Sequence, residues 1–215
     1  MLVAAVVCPC LPSLTFATDM GVPAAPERLR EACAEAVAAL LAEDPEIVGV
    51  VGPGPRSFLH EKGTPASRLP VALGVGAWLL QQAGWTGPVR AYELDDNRTW
   101  PMNGEDGVHL ARWADRVGLL VLGNGPTHAG ADGAPRPDPR VEEIDAGIAV
   151  ALANGDVDGF FPTMDAGLAR ELEVSGRSPW QLLDGADADE DLTTHRLLYA
   201  ETVDSVSCFV ATWSP

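Results

Sequence analysis

A few short stretches of this 215-residue chain carry side chains able to do chemistry. Cys8 and Cys10 stand in Cys-x-Cys spacing at the end of an apolar run. Gly123-Asn124-Gly125-Pro126-Thr127-His128 ends another such run in a polar turn that carries an imidazole. Two thiolates and an imidazole would make a three-ligand site that favours zinc or Cu(I) over Fe(II). Alternate side chains share one side only while the strand geometry persists, and Pro9 interrupts it. The competing reading is that both thiols are small buried hydrophobes, the commoner state of free cysteine. Arg56, just after Gly52-Pro53-Gly54-Pro55, and Arg177, within Ser175-Gly176-Arg177-Ser178-Pro179, add guanidiniums. Their forked donors suit carboxylates or phosphates, with surface ion pairs to nearby acids as the alternative.

Other chemistries are poorly served. Gly52-Pro53-Gly54 is an isolated Gly-x-Gly whose proline lacks the N–H that a phosphate cradle uses, and no clean helix start follows. The chain has no Gly-x-Ser-x-Gly nucleophile elbow and no Cys-x-x-Cys redox motif. The carboxylate pairs Asp95-Asp96 and Glu142-Glu143 adjoin in sequence, so in regular structure they diverge, and a solvated surface is expected for both. His60 is expected in an exposed loop, His109 on the surface or half-buried on a short helix, and His195 at a strand edge.

The elements that must position these groups follow from apolar periodicity. Leu2 to Val7 is a continuous apolar run, as in a strand buried on both faces, and Cys8–Pro12 ends it in a rigid loop. Leu29, Cys33, Val37, Leu40 and Leu41 recur at helical spacing, predicting an amphipathic helix over Pro26–Glu43. Ile47–Val51, Val89–Leu94 and Val117–Leu122 predict strands. Helices are predicted over Val71–Ala83, Val108–Ala114, Val141–Ala153 and Ala166–Val174, with a short one near Trp180–Leu183. Pro135–Pro139 reads as an extended connector and the acidic run Asp184–Asp191 as a solvated, mobile loop. Leu197–Tyr199 and Val206–Thr212 read as a closing antiparallel pair. Strands alternating with helices predict one α/β domain over residues 1–215, with helices on both faces of a mixed sheet. Ligands in such folds bind in the crevice beyond the carboxyl ends of the strands, where the three Gly/Pro/polar loops fall.

With 14 Lys and Arg against 31 Asp and Glu, the formal net charge is −17, which argues against nucleic acid. Lys62 is the sole lysine. The N-terminal apolar run has no basic n-region and is short for a secretory h-region, so a buried first strand in a cytoplasmic protein is expected. No apolar stretch approaches the roughly 20 residues of a membrane span. Cys8, Cys10, Cys33 and Cys208 lack disulfide-framework spacing, so reduced thiols are expected.

Taken in order, Val7-Cys8-Pro9-Cys10-Leu11-Pro12, Val50-Val51-Gly52-Pro53-Gly54-Pro55, Gly123–His128, Ser175–Pro179 and the closing run Leu197-Leu198-Tyr199 through Cys208-Phe209-Val210-Ala211 span nearly the whole chain. In that order they resemble the class III extradiol ring-cleavage dioxygenases (LigB-like) and Memo-like proteins. The resemblance implies a LigB-like α/β fold and a metal site at the strand ends. Cys10 would stand where the family's first metal-binding histidine does, and Gly54 where the second does. Asn124 would take the Asp position of the Gly-Asp loop, with His128 near its histidine. Ser175 would replace the metal-ligating cysteine of Cys-Gly-Arg-x-Pro. Ring cleavage uses Fe(II) in a cage of two His and one carboxylate. The substitutions therefore imply that the metal triad is lost and that no cofactor is held. The expected function is binding of a small aromatic or anionic molecule without ring cleavage, in a pocket of Cys10, Gly54, Arg56, Asn124, His128, Ser175 and Arg177. The alternative is an active metal-dependent oxidoreductase with a metal near Cys10 and His128. A third reading is an interaction module whose acidic loop meets a basic partner.

Overall fold

A computed structural model of the chain describes residues 1–15, 24–60, 64, 68–130, 134, 138–189 and 191–215. Seven strands form one mixed sheet in the order β3-β4-β2-β5-β1-β7-β6. They are β1 (Leu2–Cys8), β2 (Ile47–Gly54), β3 (Phe58–Leu59), β4 (Val89–Asp95), β5 (Val117–Leu122), β6 (Thr194–Val203) and β7 (Val206–Ser214). The inner four, β4, β2, β5 and β1, run parallel. The hairpin β6–β7 adds antiparallel beside β1, and short β3 adds antiparallel beside β4. The continuous valine-rich runs thus lie mid-sheet, where both faces are covered.

The helices are α1 (Glu27–Ala42), α2 (Val71–Gln82), α3 (Trp100–Leu110), α4 (Pro139–Asn154), α5 (Phe160–Thr163), α6 (Ala166–Glu171) and α7 (Arg177–Ala186). Strand alternation divides the apolar residues into two cores. Ala4, Val6, Cys8, Leu120 and Leu122 face α1 and α2, where Leu29, Leu40 and Leu73 meet them. Val7, Leu119 and Val121 face the other layer, with Ile148, Phe161 and Trp180. The expectation of one α/β domain with helices on both faces of a mixed sheet holds. No described helix is long and apolar enough to cross a membrane.

Several elements depart from their expected bounds, and β6 extends over Thr194–Val203 beyond the expected Leu197–Tyr199. The short helix expected over Val108–Ala114 is α3, which starts at Trp100 and ends by Leu110. Gly104 and Gly107 dilute its apolar stripe, but they permit a backbone-close crossing with α7. A Cβ on Gly107 would lie 2.1 Å from the Leu182 carbonyl oxygen, and one on Gly185 would lie 2.3 Å from Gly104 Cα. The acidic run does not begin as a mobile loop, because Asp184–Ala186 close α7. Asp184 accepts a hydrogen bond from Trp100 Nε1 at 2.9 Å, and Asp187 accepts one from the Leu192 N–H at 3.1 Å. Of the expected connector Pro135–Pro139, residues 135–137 lie outside the described residues, and Pro139 already opens α4.

The crossing of α3 and α7 gives a graded test. Gly107→Ala and Gly185→Ala should each destabilise the protein by ~1–3 kcal/mol through overpacking against backbone. Gly104→Ala, whose Cβ would meet Gly185 Cα at an ordinary 3.9 Å, should be neutral or stabilising by up to ~1 kcal/mol from helix propensity. Urea denaturation of the three variants checks the order.

Candidate functional site

The chain leaves β1 on the face of α1 and leaves β5 toward the face of α4 and α7, so a crevice opens beyond their carboxyl ends. Here two loops and one helix start are bonded together. The Gly123 N–H donates to Cys8 O at 3.1 Å and the Gly176 N–H to Asn124 O at 2.9 Å. The Cys10 N–H donates to Asn124 Oδ1 at 2.9 Å, and the Asn124 N–H to Ser175 Oγ at 3.1 Å. Cys10 Sγ lies 3.8 Å from Ser175 Oγ. Glycine makes this approach possible: a Cβ on Gly123 would sit 2.3 Å from Gly176 Cα, and one on Gly176 would enter the Trp180 ring. Trp180 is fully buried, with ring centroids 5.7 Å from Phe161 and 6.2 Å from Phe209, and so anchors the start of α7.

Arg177 lies at the first position of α7 and is buried. Its Nε donates to Met164 O at 2.9 Å, and its Nη1 to Asp96 O at 3.2 Å and Arg98 O at 3.0 Å. It thereby ties the loop after β4 to the segment before α6. Nη2 has no hydrogen-bond partner among the described residues, and Arg177 lines a cavity of about 460 Å³ together with Asp96, Asn124, Arg170, Glu173 and Ser175. The Asn124 amide is oriented by its acceptor bond from Cys10, which leaves the Nδ2 donors without a partner among the described residues. Ser175 Oγ accepts from backbone and retains its proton for Cys10 Sγ or for a ligand. Burial pushes the Cys10 thiol up to about 11, with the Ser175 hydrogen bond opposing it, so the group is a neutral thiol near pH 7.

Four of the seven residues expected in the pocket therefore come together: Cys10, Asn124, Ser175 and Arg177. The other three do not join them. Gly54 ends β2, but the space a side chain would need is filled by Glu93, whose Cγ lies 2.2 Å from an ideal Cβ position. Glu93 is buried on β4, with Oε2 3.0 Å from His60 Nε2 and Oε1 unpaired among the described residues. His60 is thus buried rather than exposed in a loop, because its N–H continues the β3–β4 ladder to Ala91 O. Arg56 is exposed, 3.9 Å from Glu93 Oε2, and stacks over the Phe58 ring. His128 is engaged away from Cys10, with Nε2 2.7 Å from Ser207 Oγ and 3.1 Å from Asp145 Oδ2. Ser207 in turn donates to Asp145 at 2.7 Å. These bonds pin the Gly123–His128 loop to β7 and α4. His195 lies on edge strand β6, with its ring edge against Trp213.

The residues present do not fit the iron that the family resemblance implies. Their side chains offer a neutral thiol, a hydroxyl and, at Gly54, nothing. The imidazole proposed to complete the set is held by Ser207 and Asp145, and Cys8 is fully buried beside Cys33. Among the described residues no group of three or more His, Cys, Asp or Glu side chains is placed to hold a metal ion. Asp96 is exposed, as the sequence reading expected, but that reading did not place it at the cavity edge, where its carbonyl accepts from Arg177. Its place beside Arg177 depends on how the loop after β4 folds, and adjacent residues do not encode that.

No family model matches the chain, and no curated protein matches it. Among solved structures, the chain is similar to the uncharacterized protein JW3007 from Escherichia coli K12, at 13% identity and a TM-score of 0.52. The alignment covers 98% of this chain and 99% of that one. At this identity the likeness speaks for the fold alone.

Two measurements test the site's construction. Arg177→Ala leaves the three carbonyls it serves without their donor, so unfolding in urea should show a loss of about 3 kcal/mol or more. At pH 8 Cys10 should react with iodoacetamide on the order of a hundredfold more slowly than a free thiol, as its thiolate fraction dictates. The rate should keep rising beyond pH 9, as read by mass spectrometry of the Cys10 peptide.

Proposed function

We propose that this protein binds a small acid, aromatic or otherwise, in the cleft beyond β1 and β5, and does so without cleaving a ring. One observation carries the proposal: the donors of Asn124, Ser175 and Arg177 line a single cavity with their other polar atoms already committed to the protein. Acceptors fixed by backbone N–H groups leave only N–H and O–H groups to offer. Such an arrangement suits a carboxylate or another acceptor-rich group, and the start of α7 adds the positive end of its dipole. The cavity volume lies within the range of small-molecule pockets.

On this reading the chain is a divergent relative of the class III extradiol dioxygenases and Memo-like proteins. The strand-end cleft is kept and the metal-holding side chains are replaced by thiol, glycine and hydroxyl. Its four free thiols suit a cytoplasmic setting, and its net charge of −17 disfavours nucleic acid as a partner. The acidic run is not proposed as a docking loop, since its first residues are structural parts of α7.

Isothermal titration with benzoate, 3-phenylpropionate and 3,4-dihydroxybenzoate tests the proposal. At least one acid should bind, and Ser175→Ala should weaken it about tenfold, the loss of one charge-assisted hydrogen bond. With added Fe(II), 3,4-dihydroxybenzoate should cause no oxygen uptake. Absence of binding by every acid at millimolar concentration, or iron-dependent oxygen uptake lost in Cys10→Ser, would overturn it.

A further inference from the structure

The two edges of the sheet differ. β3 closes one edge with two residues, too short to template another strand, whereas β6 closes the other with ten, none of them proline, glycine or lysine. On the side away from β7, no main-chain group of β6 has a hydrogen-bond partner among the described residues, and Ala200, Glu201 and Thr202 are exposed. A long unpaired edge of this kind accepts a further strand. One irregularity shapes it. The pairing with β7 shifts between Leu197 and Tyr199, so Leu198 is an extra residue and the alternation of faces changes phase there. Before the bulge Arg196 faces α1, where it meets Glu35 at 3.2 Å; after it Glu201 faces α1 and meets Arg28 at 2.8 Å. Leu197 and Ala200 turn to the α4 face instead.

We propose that two copies of this chain join through β6, antiparallel about a two-fold axis, with Arg196 of each copy opposite Glu201 of the other. Such an axis stands perpendicular to the sheet and keeps each face on its own side, so only residues of one face pair across it. The register centred between Leu198 and Tyr199 satisfies this along the whole strand, because the bulge brings Arg196 and Glu201 to the same face. It sets the two charges opposite each other twice. Each contact extends the intrachain pairs into a row of alternating sign, Arg28, Glu201, Arg196, Glu35, whose last two members belong to the second copy. β6 holds no other Lys, Arg, Asp or Glu, so no like charges meet within the paired strands. On the opposite face the same register puts Leu197 of one copy across from Ala200 of the other. There the small side chains of Ala146, Ala149 and Ala200 leave a hollow of about 250 Å³ beside the strand, which an apolar branched side chain fills. A strand of another protein would meet the same open edge without reason to carry the matching charges. β6 is complementary to itself.

Analytical ultracentrifugation of the full chain tests the proposal, in about 0.15 M salt, where repulsion between two acidic chains is screened beyond ~8 Å. The wild type should pass from monomer to dimer between micromolar and millimolar concentration. Arg196→Glu sets Glu against Glu at both contacts, and Glu201→Arg sets Arg against Arg. Each alone should weaken the dimer about tenfold or more. An equimolar mixture of the two variants should dimerise again, since both contacts then hold opposite charges, and that recovery shows that both chains are folded. Amide hydrogen exchange gives a second readout without any substitution: the β6 amides of the wild type should exchange more slowly as concentration rises. A wild type that stays monomeric, or β6 amides whose exchange ignores concentration, would overturn the proposal. So would charge variants that dimerise as the wild type does, or a mixture no more associated than its components.

Discussion

Two backbones meet at Gly123 and Gly176 with no room for a side chain between them, and the functional end of the molecule is built on that contact. It brings the end of β5 against the start of α7, so that Asn124 can bond both Cys10 and Gly176 while Ser175 accepts from Asn124. Trp180, wedged over Gly176 and held by Phe161 and Phe209, keeps the helix at that height. The glycine crossing of α3 and α7 fixes the same helix further along its length. The side chains at the cleft are thus placed by close-packed main chain, which tolerates little displacement.

Arg177 illustrates how polar chemistry is managed once that contact is made. In a chain with 31 acidic residues, its guanidinium is given chiefly to neutral carbonyls at three points of two segments. Charge-assisted bonds of this kind are strong and directional, and they order the loop carrying Asp96. The outcome is a cavity whose lining balances in charge while the surrounding surface is strongly negative. A long-range field of that sign draws cations toward the molecule, but local donors decide what remains bound.

Much of the framework was legible from sequence. The apolar runs at Leu2–Val7 and Val117–Leu122 read as buried strands, and the periodicity of Leu29, Cys33, Val37 and Leu40 as an amphipathic helix, and the structure has both. The meeting of Cys10 and Asn124 follows from strand-end loops in an open α/β sheet sharing one edge, whereas Ser175, which precedes a helix, was expected there only from the family resemblance. Gly54 was misassigned to the pocket because the register of β2 against β4 lays Glu93 over it, and no local pattern links residues so far apart. His60 and His128 were placed in the wrong surroundings for the same reason, since their partners Glu93, Asp145 and Ser207 come from distant elements. The start of α3 escaped because the glycines that let it pack are those that erase its helical signature.

The position of β1 has a consequence for biosynthesis. Its neighbours in the sheet are Val117–Leu122 on one side and Val206–Ser214 on the other, so β1 is flanked only by segments made much later than itself. A fully apolar strand must keep both edges open until β5 is made, when unpaired edges are most prone to adhere to other chains. The cleft, too, cannot form before α7 has left the ribosome. Chaperone dependence during synthesis, more than fragility of the finished domain, is the cost built into this topology.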